Sequence, residues 1–217
     1  MRGLPARLAG AEPAVVRPRD LTELWAMPRK ELAHLAAQGV VLRLAHGYYA
    51  IVPEAARGGT WRPSVEAAGL AIGQVDYGPE GAAVMGPSAA RLLGHVPRAL
   101  GTATIAVIKQ RPPLSTVAGR VRFVTRAVGD LDRQRVETEL GSGWVTTPEQ
   151  TLLDLVDRPT LGGFDRTDAR DAIRSLAAVA DLDLALHLAD TQHKRRAHGI
   201  ISAASSGGSW SEIVDTG

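Results

Sequence analysis

Between Pro28 and Val52 the chain reads PRKELAHLAAQGVVLRLAHGYYAIV, and this stretch leaves little freedom in what the rest can fold into. Proline at Pro28 suits the first helical position, where its missing N–H costs nothing, and Gly39 suits the left-handed position just past a helix end. The spacing therefore predicts a short helix bounded at both ends. At 3.6 residues per turn Leu32, Leu35 and Ala36 share one face, while Lys30, Ala33, His34 and Ala37 point away with Arg29 on the flank. A solvated helix face usually alternates Glu with Lys. Bare alanines beside cations instead let a backbone approach something flat or grooved. From Val40 the period changes to two, with Val40, Leu42 and Leu44 toward one side and Val41 and Arg43 toward the other. His46-Gly47 supplies a tight turn and Tyr48 to Val52 the return strand.

A helix in the major groove followed by a hairpin that touches the backbone or minor groove is how winged members of the helix-turn-helix class read DNA. Helix and hairpin also meet in small α+β domains that bind no nucleic acid, so the preceding residues matter. Arg2 to Leu8 reads as a first short helix, Ala14 to Val16 as an extended segment and Arg17-Pro18 as a break. Asp20-Leu21-Thr22-Glu23 has the spacing of a capping box, which predicts a helix with Leu21, Leu24 and Trp25 on its apolar face. Only Ala26 and Met27 separate Trp25 from Pro28, the tight connection expected inside a helix-turn-helix. The order helix, short strand, helix, turn, helix, hairpin is winged-helix topology.

On that reading Arg29, Lys30 and His34 meet the major groove, and Ala33 and Ala37 permit close approach or contact with a thymine methyl. Arg17 and Arg19 hold phosphates, Arg43 and His46 do the same from the hairpin or enter the minor groove, and Tyr48 joins the DNA-facing set. Tyr49 falls on the packing side by alternation.

Charge is unevenly spread. Residues 1–62 hold nine Lys or Arg against five acids, so a formal +4 lies there and −2 in the remainder of a chain whose total is +2. A basic first part suits a nucleic-acid reader, because phosphate contacts supply most non-specific affinity. With no cysteine, disulfides, a thiol nucleophile and cysteine-ligated zinc or iron–sulfur sites are excluded. The N-terminus carries no uninterrupted apolar stretch of signal-peptide length, and no run approaches the ~20 apolar residues of a membrane span. A cytoplasmic protein is expected.

Residues 54–62, of small residues and a glycine pair, read as a linker between a winged-helix domain over 1–53 and an α+β domain over 63–204, with a mobile tail over 205–217. In the second domain the pattern predicts a helix over Pro63–Ile72, strands at Ala82–Met85, Thr102–Lys109, Gly119–Thr125 and Gly143–Thr146, and a helix over Ser88–Leu93. Thr147-Pro148-Glu149-Gln150 combines a capping Thr, Pro at the first helical position and Gln at the third to reach back. Amphipathic helices over Asp168–Val179 and Leu182–His198 close the fold. Lys194-Arg195-Arg196 in the last turn of the second would complement the helix dipole, and Gly199 would end it.

VVRPRDL, the Pro-Arg-initiated helix and LRLAHGYYAIV together resemble the N-terminal domain of AbiEi-type antitoxins. In that family the wing carries a basic residue, then Gly-x-Tyr and an aliphatic pair, positions held here by Arg43, Gly47, Tyr49 and Ile51. GPSAARLLG and WVTTPEQTLLDLVD resemble two recurring motifs of the family's C-terminal domain, so the likeness runs to about Asp157. Gln150 stands where many relatives have a basic residue. The resemblance implies an α+β protein with an N-terminal winged helix-turn-helix and a mixed α+β C-terminal domain. It further implies a repressor of its own operon that binds double-stranded operator DNA as a monomer or weak dimer. Its partner is a nucleotidyltransferase-like toxin, a separate chain.

Chemistry is sparse. There is no phosphate loop, no Gly-x-Ser-x-Gly elbow and no His-Glu-x-x-His, and His187, His193 and His198 lie six and five apart, off any common helix face. Asp181-Leu182-Asp183, an Asp-x-Asp, reads as a helix start. Glu137, Glu139 and Asp154 are the acids a metal-dependent nuclease would need, but no lysine follows a Glu at the spacing such chemistry uses. The expectation is no enzyme, no metal and no cofactor. The alternatives are a protein-interaction module with a scaffold winged helix, or such a nuclease.

Overall fold

The computed structural model describes residues 5–206 and Trp210. Residues 2–4 of the expected first helix and most of the expected mobile tail lie outside the described residues. The chain is α+β, with a small antiparallel sheet and a larger mixed one. After α1 (Ala6–Ala9) and β1 (Val15–Val16) comes α2 (Pro28–Ala37), with Pro28 in its first turn. Gly39, at φ +69°, reverses the chain so that the Val40 N–H reaches the Leu35 carbonyl at 3.0 Å. Strands β2 (Val41–Ala45) and β3 (Tyr48–Ile51) follow, joined through Gly47 at φ +82°, and β3 lies between β1 and β2.

Period-two alternation gives this sheet two buried faces. Val16, Val41, Tyr49 and Ile51 pack with Leu32 and Leu35 of α2. Val15, Leu44 and Ala50, with Leu42 and Tyr48 beside them, belong to the core of the second half. Two main-chain bonds add to the join: Val117 N–H donates to the Leu44 carbonyl at 2.9 Å and Ala14 N–H to the Leu140 carbonyl at 2.8 Å. Residues 54–62 are mostly exposed, but the segments on either side of them share one core.

The second half opens with α3 (Val65–Tyr77), capped by Ser64, whose hydroxyl accepts the Ala67 N–H at 3.3 Å. It lies across a six-stranded sheet built from β4 (Ala82–Val84), β5 (Thr102–Val107), β6 (Leu114–Thr116), β7 (Gly119–Thr125), β8 (Arg133–Thr138) and β9 (Gly141–Thr146). The order is β6-β7-β5-β4-β9-β8, with β5 parallel to β7 and β4 parallel to β9. Helices α4 (Gly86–Leu92), α5 (Pro148–Asp157), α6 (Arg166–Ala177), α7 (Leu182–Thr191) and α8 (Arg195–Ser205) gather around a second core of Leu152, Leu153, Leu155, Ile173, Leu176 and Ile201. Each fully buried leucine or isoleucine here contributes about 1.5–3 kcal/mol. No helix among the described residues is long and apolar enough to cross a membrane.

Several local readings need correction. The helix expected from Asp20 is a 3₁₀ turn over Pro18–Leu21, continued by turns that return Leu24 and Trp25 N–H groups to the Leu21 carbonyl. Asp20 does not cap it, because its carboxylate accepts Arg17 Nε at 2.6 Å and Nη2 at 3.0 Å. Thr147 does cap α5, its hydroxyl accepting the Gln150 N–H at 3.4 Å. The Gln150 side chain, however, turns into the core instead of reaching back, pairing with Gln192 at 2.5 Å. The single helix expected over Leu182–His198 breaks at His193, which adopts φ +55°. Lys194-Arg195-Arg196 consequently stand at the beginning of α8, where the dipole disfavours cations, and Gly199 lies inside that helix.

Candidate nucleic-acid interface

Because Leu32 and Leu35 pin one face of α2 to the small sheet, the opposite face is free. Arg29, Lys30, Ala33, His34 and Ala37 are all exposed on it. The hairpin tip adds Arg43 and His46, also exposed, with Arg43 Nη2 3.3 Å from His46 Nδ1. His34 Nε2 lies 2.9 Å from Gln38 Nε2, one turn on. Between the start of α2 and the hairpin runs a cleft lined by Arg17, Arg19, Arg29, Arg43 and His46. Eight of the ten sequence-predicted positions are exposed: Arg19, Arg29, Lys30, Ala33, His34, Ala37, Arg43 and His46, and of these Arg19, Arg29, Arg43 and His46 share the cleft.

Arg17 and Tyr48 do something else. The Arg17 side chain is 15% exposed, with Nη1 2.5 Å from Asp76 Oδ1 as well as its bonds to Asp20. Burial works against its charge, but the hydrogen bonds to Asp20 and Asp76 outweigh it and hold its pKa above the ordinary arginine value. Tyr48 points toward α3 and donates its hydroxyl to Asp76 Oδ2 at 2.6 Å. Burial first, and then that bond, raise its pKa. Arg111 bonds the same Asp76 oxygen and stacks its guanidinium 4.2 Å from the Phe123 ring centroid. Arg19 reaches Asp76 at 3.3 Å but remains 68% exposed. Neither Arg17 nor Tyr48 is available as a free DNA contact, since both are used in fastening the small sheet to α3. Asp76 and Arg111 escaped the sequence reading altogether, being 59 and 94 residues from Arg17.

The acids weighed for nuclease chemistry do not converge. Glu137 is exposed on β8, Glu139 accepts Ser64 N–H and hydroxyl, and Asp154 is buried in α5. Among the described residues no group of three His, Asp or Glu side chains could hold a metal ion. Asp154 has its own cluster: Arg126 Nη1 and Gln150 Nε2 donate to Oδ1 at 3.2 and 3.3 Å, while buried Oδ2 has no partner.

Burial pushes the Asp154 carboxyl up, although Arg126, Gln150 and Lys194 all favour its ion. An acid whose folded pKa lies above its unfolded value takes up a proton on folding. Its contribution to stability therefore grows as pH falls through the folded pKa and levels off below the unfolded one. Asp154→Asn removes that gain, so the stability of the variant relative to the parent is expected to be higher at about pH 7 than at about pH 5. Urea unfolding of both proteins at the two pH values measures it, and an equal difference at both would refute the assignment.

Among solved structures the fold is similar to that of the RV2827C protein from Mycobacterium tuberculosis, at a TM-score of 0.62 and 19% sequence identity. The match covers 96% of this chain and 77% of that one. No family model matches the chain, and no curated protein does.

Proposed function

We propose that the N-terminal unit is a winged helix that reads double-stranded DNA through α2, and that the protein represses its own operon as the antitoxin of a toxin–antitoxin pair. The observation that carries the DNA reading is the exposed face of α2, where Arg29, Lys30 and His34 surround Ala33 and Ala37 with no bulky side chain between them. Such a face suits a groove: guanidinium and ammonium groups reach base edges or phosphates, and alanines let the backbone come close. Arg43 and His46 line one cleft with Arg29, which supports reading the hairpin as a wing that contacts the adjacent backbone. The repressor and antitoxin roles, with a nucleotidyltransferase-like toxin as partner, rest on the resemblance to AbiEi-type proteins.

Fluorescence anisotropy with labelled DNA from upstream of the gene, against a scrambled duplex at two salt concentrations, tests the reading. A preference for the upstream duplex that survives near-physiological salt is expected. Arg29→Glu with Lys30→Glu removes two cationic contacts and is expected to weaken binding by roughly hundredfold, about 3 kcal/mol. Unchanged affinity in that variant overturns the recognition-helix assignment. Weak, salt-sensitive binding to both duplexes would favour a scaffold for protein contacts instead.

A further inference from the structure

The second half of the chain neutralises many of its arginines: Arg91 is paired with Glu66, Arg126 with Asp154 and Arg133 with Glu80. At one cleft two arginines, Arg122 and Arg196, depart from that pattern. Arg122 from β7, Arg158 just past α5, Arg166 opening α6 and Arg196 in the first turn of α8 converge around a concavity of about 470 Å³ floored by Pro159 and Thr160. Arg122 and Arg196 make no hydrogen bond or ion pair among the described residues, and both are exposed. Among the described residues Asp157 is the one acid in its wall, and its Oδ2 is already bonded to Lys194 Nζ at 2.5 Å, leaving Arg158 at 3.8 Å. Arg120, two residues before Arg122 on the same face of β7, extends the charge into an adjoining cleft.

Gathering like charges in this way costs stability, and Arg196 adds to the cost by standing at a helix N-terminus, where the dipole repels it. An anion filling the cleft removes both penalties. The guanidinium forks match phosphate oxygens bidentately, and among the described residues no aromatic side chain lines the concavity to stack a base. Four cations from four separate elements close around a hollow, whereas a duplex offers its phosphates as a convex row. The volume is that of a small-ligand site.

We propose that this cleft binds a compact polyphosphate, a ligand carrying linked phosphates such as a nucleoside triphosphate or inorganic tripolyphosphate. Isothermal titration calorimetry of the full chain with tripolyphosphate and with ATP, near physiological ionic strength, tests it. The expected result is saturable one-to-one binding that weakens at least tenfold in Arg122→Glu with Arg196→Glu. The single variant Arg196→Ala, at an exposed position, should weaken it by a smaller factor should the double variant fold poorly. Equal affinity for the two probes means that phosphates alone are read; tighter ATP binding means that the nucleoside contributes.

Arg29→Glu with Lys30→Glu should leave tripolyphosphate binding intact, so failure of the DNA reading and failure of the cleft are told apart. Absence of saturable binding, or affinity unchanged in both cleft variants, overturns the proposal. So does a result in which the cleft variants lose only duplex DNA, which would make these arginines part of a DNA footprint.

Discussion

Asp76→Ala is expected to destabilise the protein by about 3–5 kcal/mol, the cost of removing one partner from a largely desolvated ionic cluster. A chain of this size would lose roughly 10 °C in Tm. Asp76 is 11% exposed, and its two oxygens accept from Arg17, Tyr48 and Arg111, with the more exposed Arg19 behind them. Alanine leaves three guanidiniums and a phenol facing one another; Asp20 still pairs with Arg17 and, at 3.9 Å, with Arg19, but Arg111 keeps no carboxylate among the described residues. Asp20→Ala is the contrasting change. That carboxylate is 41% exposed, so solvent screening holds its cost to about 1 kcal/mol or less. Urea unfolding of the two variants measures the difference. A loss for Asp76→Ala no larger than for Asp20→Ala would mean that packing between Leu44, Ala50 and α3, and not the ionic cluster, holds the two halves together.

This cluster also marks where the sequence stopped being informative. Helix α2 and the hairpin were legible because local chemistry decides them: Pro28 starts the helix, Gly39 and Gly47 take up positive φ, and the apolar period changes at Val40. Seven of the surface positions on α2 and the hairpin tip follow directly from those boundaries. Arg17 and Tyr48 were misread because their partner, Asp76, belongs to a helix that sequence spacing cannot bring near. A hairpin read in isolation has one packed face and one free face. Here the second face is covered by the core around Leu70 and Ile105, which turns Tyr48 inward.

Strand β8 was missed for a different reason. RQRVET holds a single apolar residue, Val136, so hydrophobic periodicity carries no signal there. The strand is set by pairing with β9 and by Arg133 and Arg135, whose guanidiniums lie 4.3 and 4.8 Å from the Trp144 ring centroid. The 3₁₀ turn at Pro18 was read as a helix because a capping-box spacing records only which side chains could cap. In the fold Arg17 takes the Asp20 carboxylate first. The break at His193 had no glycine or proline to announce it, and so the cleft around Arg196 was hidden behind a continuous helix.

The close approach of α3 to the large sheet gives the other large expected effect. In a solvated helix interior, Gly→Ala stabilises by about 1 kcal/mol, because alanine surrenders less backbone entropy. Gly199 in α8 is exposed and a Cβ there would meet nothing within 4 Å, so Gly199→Ala should show that gain. At Gly73 the sign reverses. A Cβ built there falls 2.8 Å from Ala82 Cβ, which sits on β4 with no rotamer through which to yield. The helix must lift from the strand, opening the core around Ile72 and Ile105, and overpacking of this kind costs about 1–3 kcal/mol. Gly73→Leu extends the clash toward Ile105 and Val107, 3.6 and 3.7 Å from the same Cβ position, with an expected cost of about 4 kcal/mol or more. Denaturant unfolding of the two alanine variants should move the midpoint in opposite directions. If Gly73→Ala stabilised the chain as Gly199→Ala does, α3 would have room above β4, and the tight helix-on-sheet contact that places Asp76 beside Arg17 and Tyr48 would not be what fixes that junction.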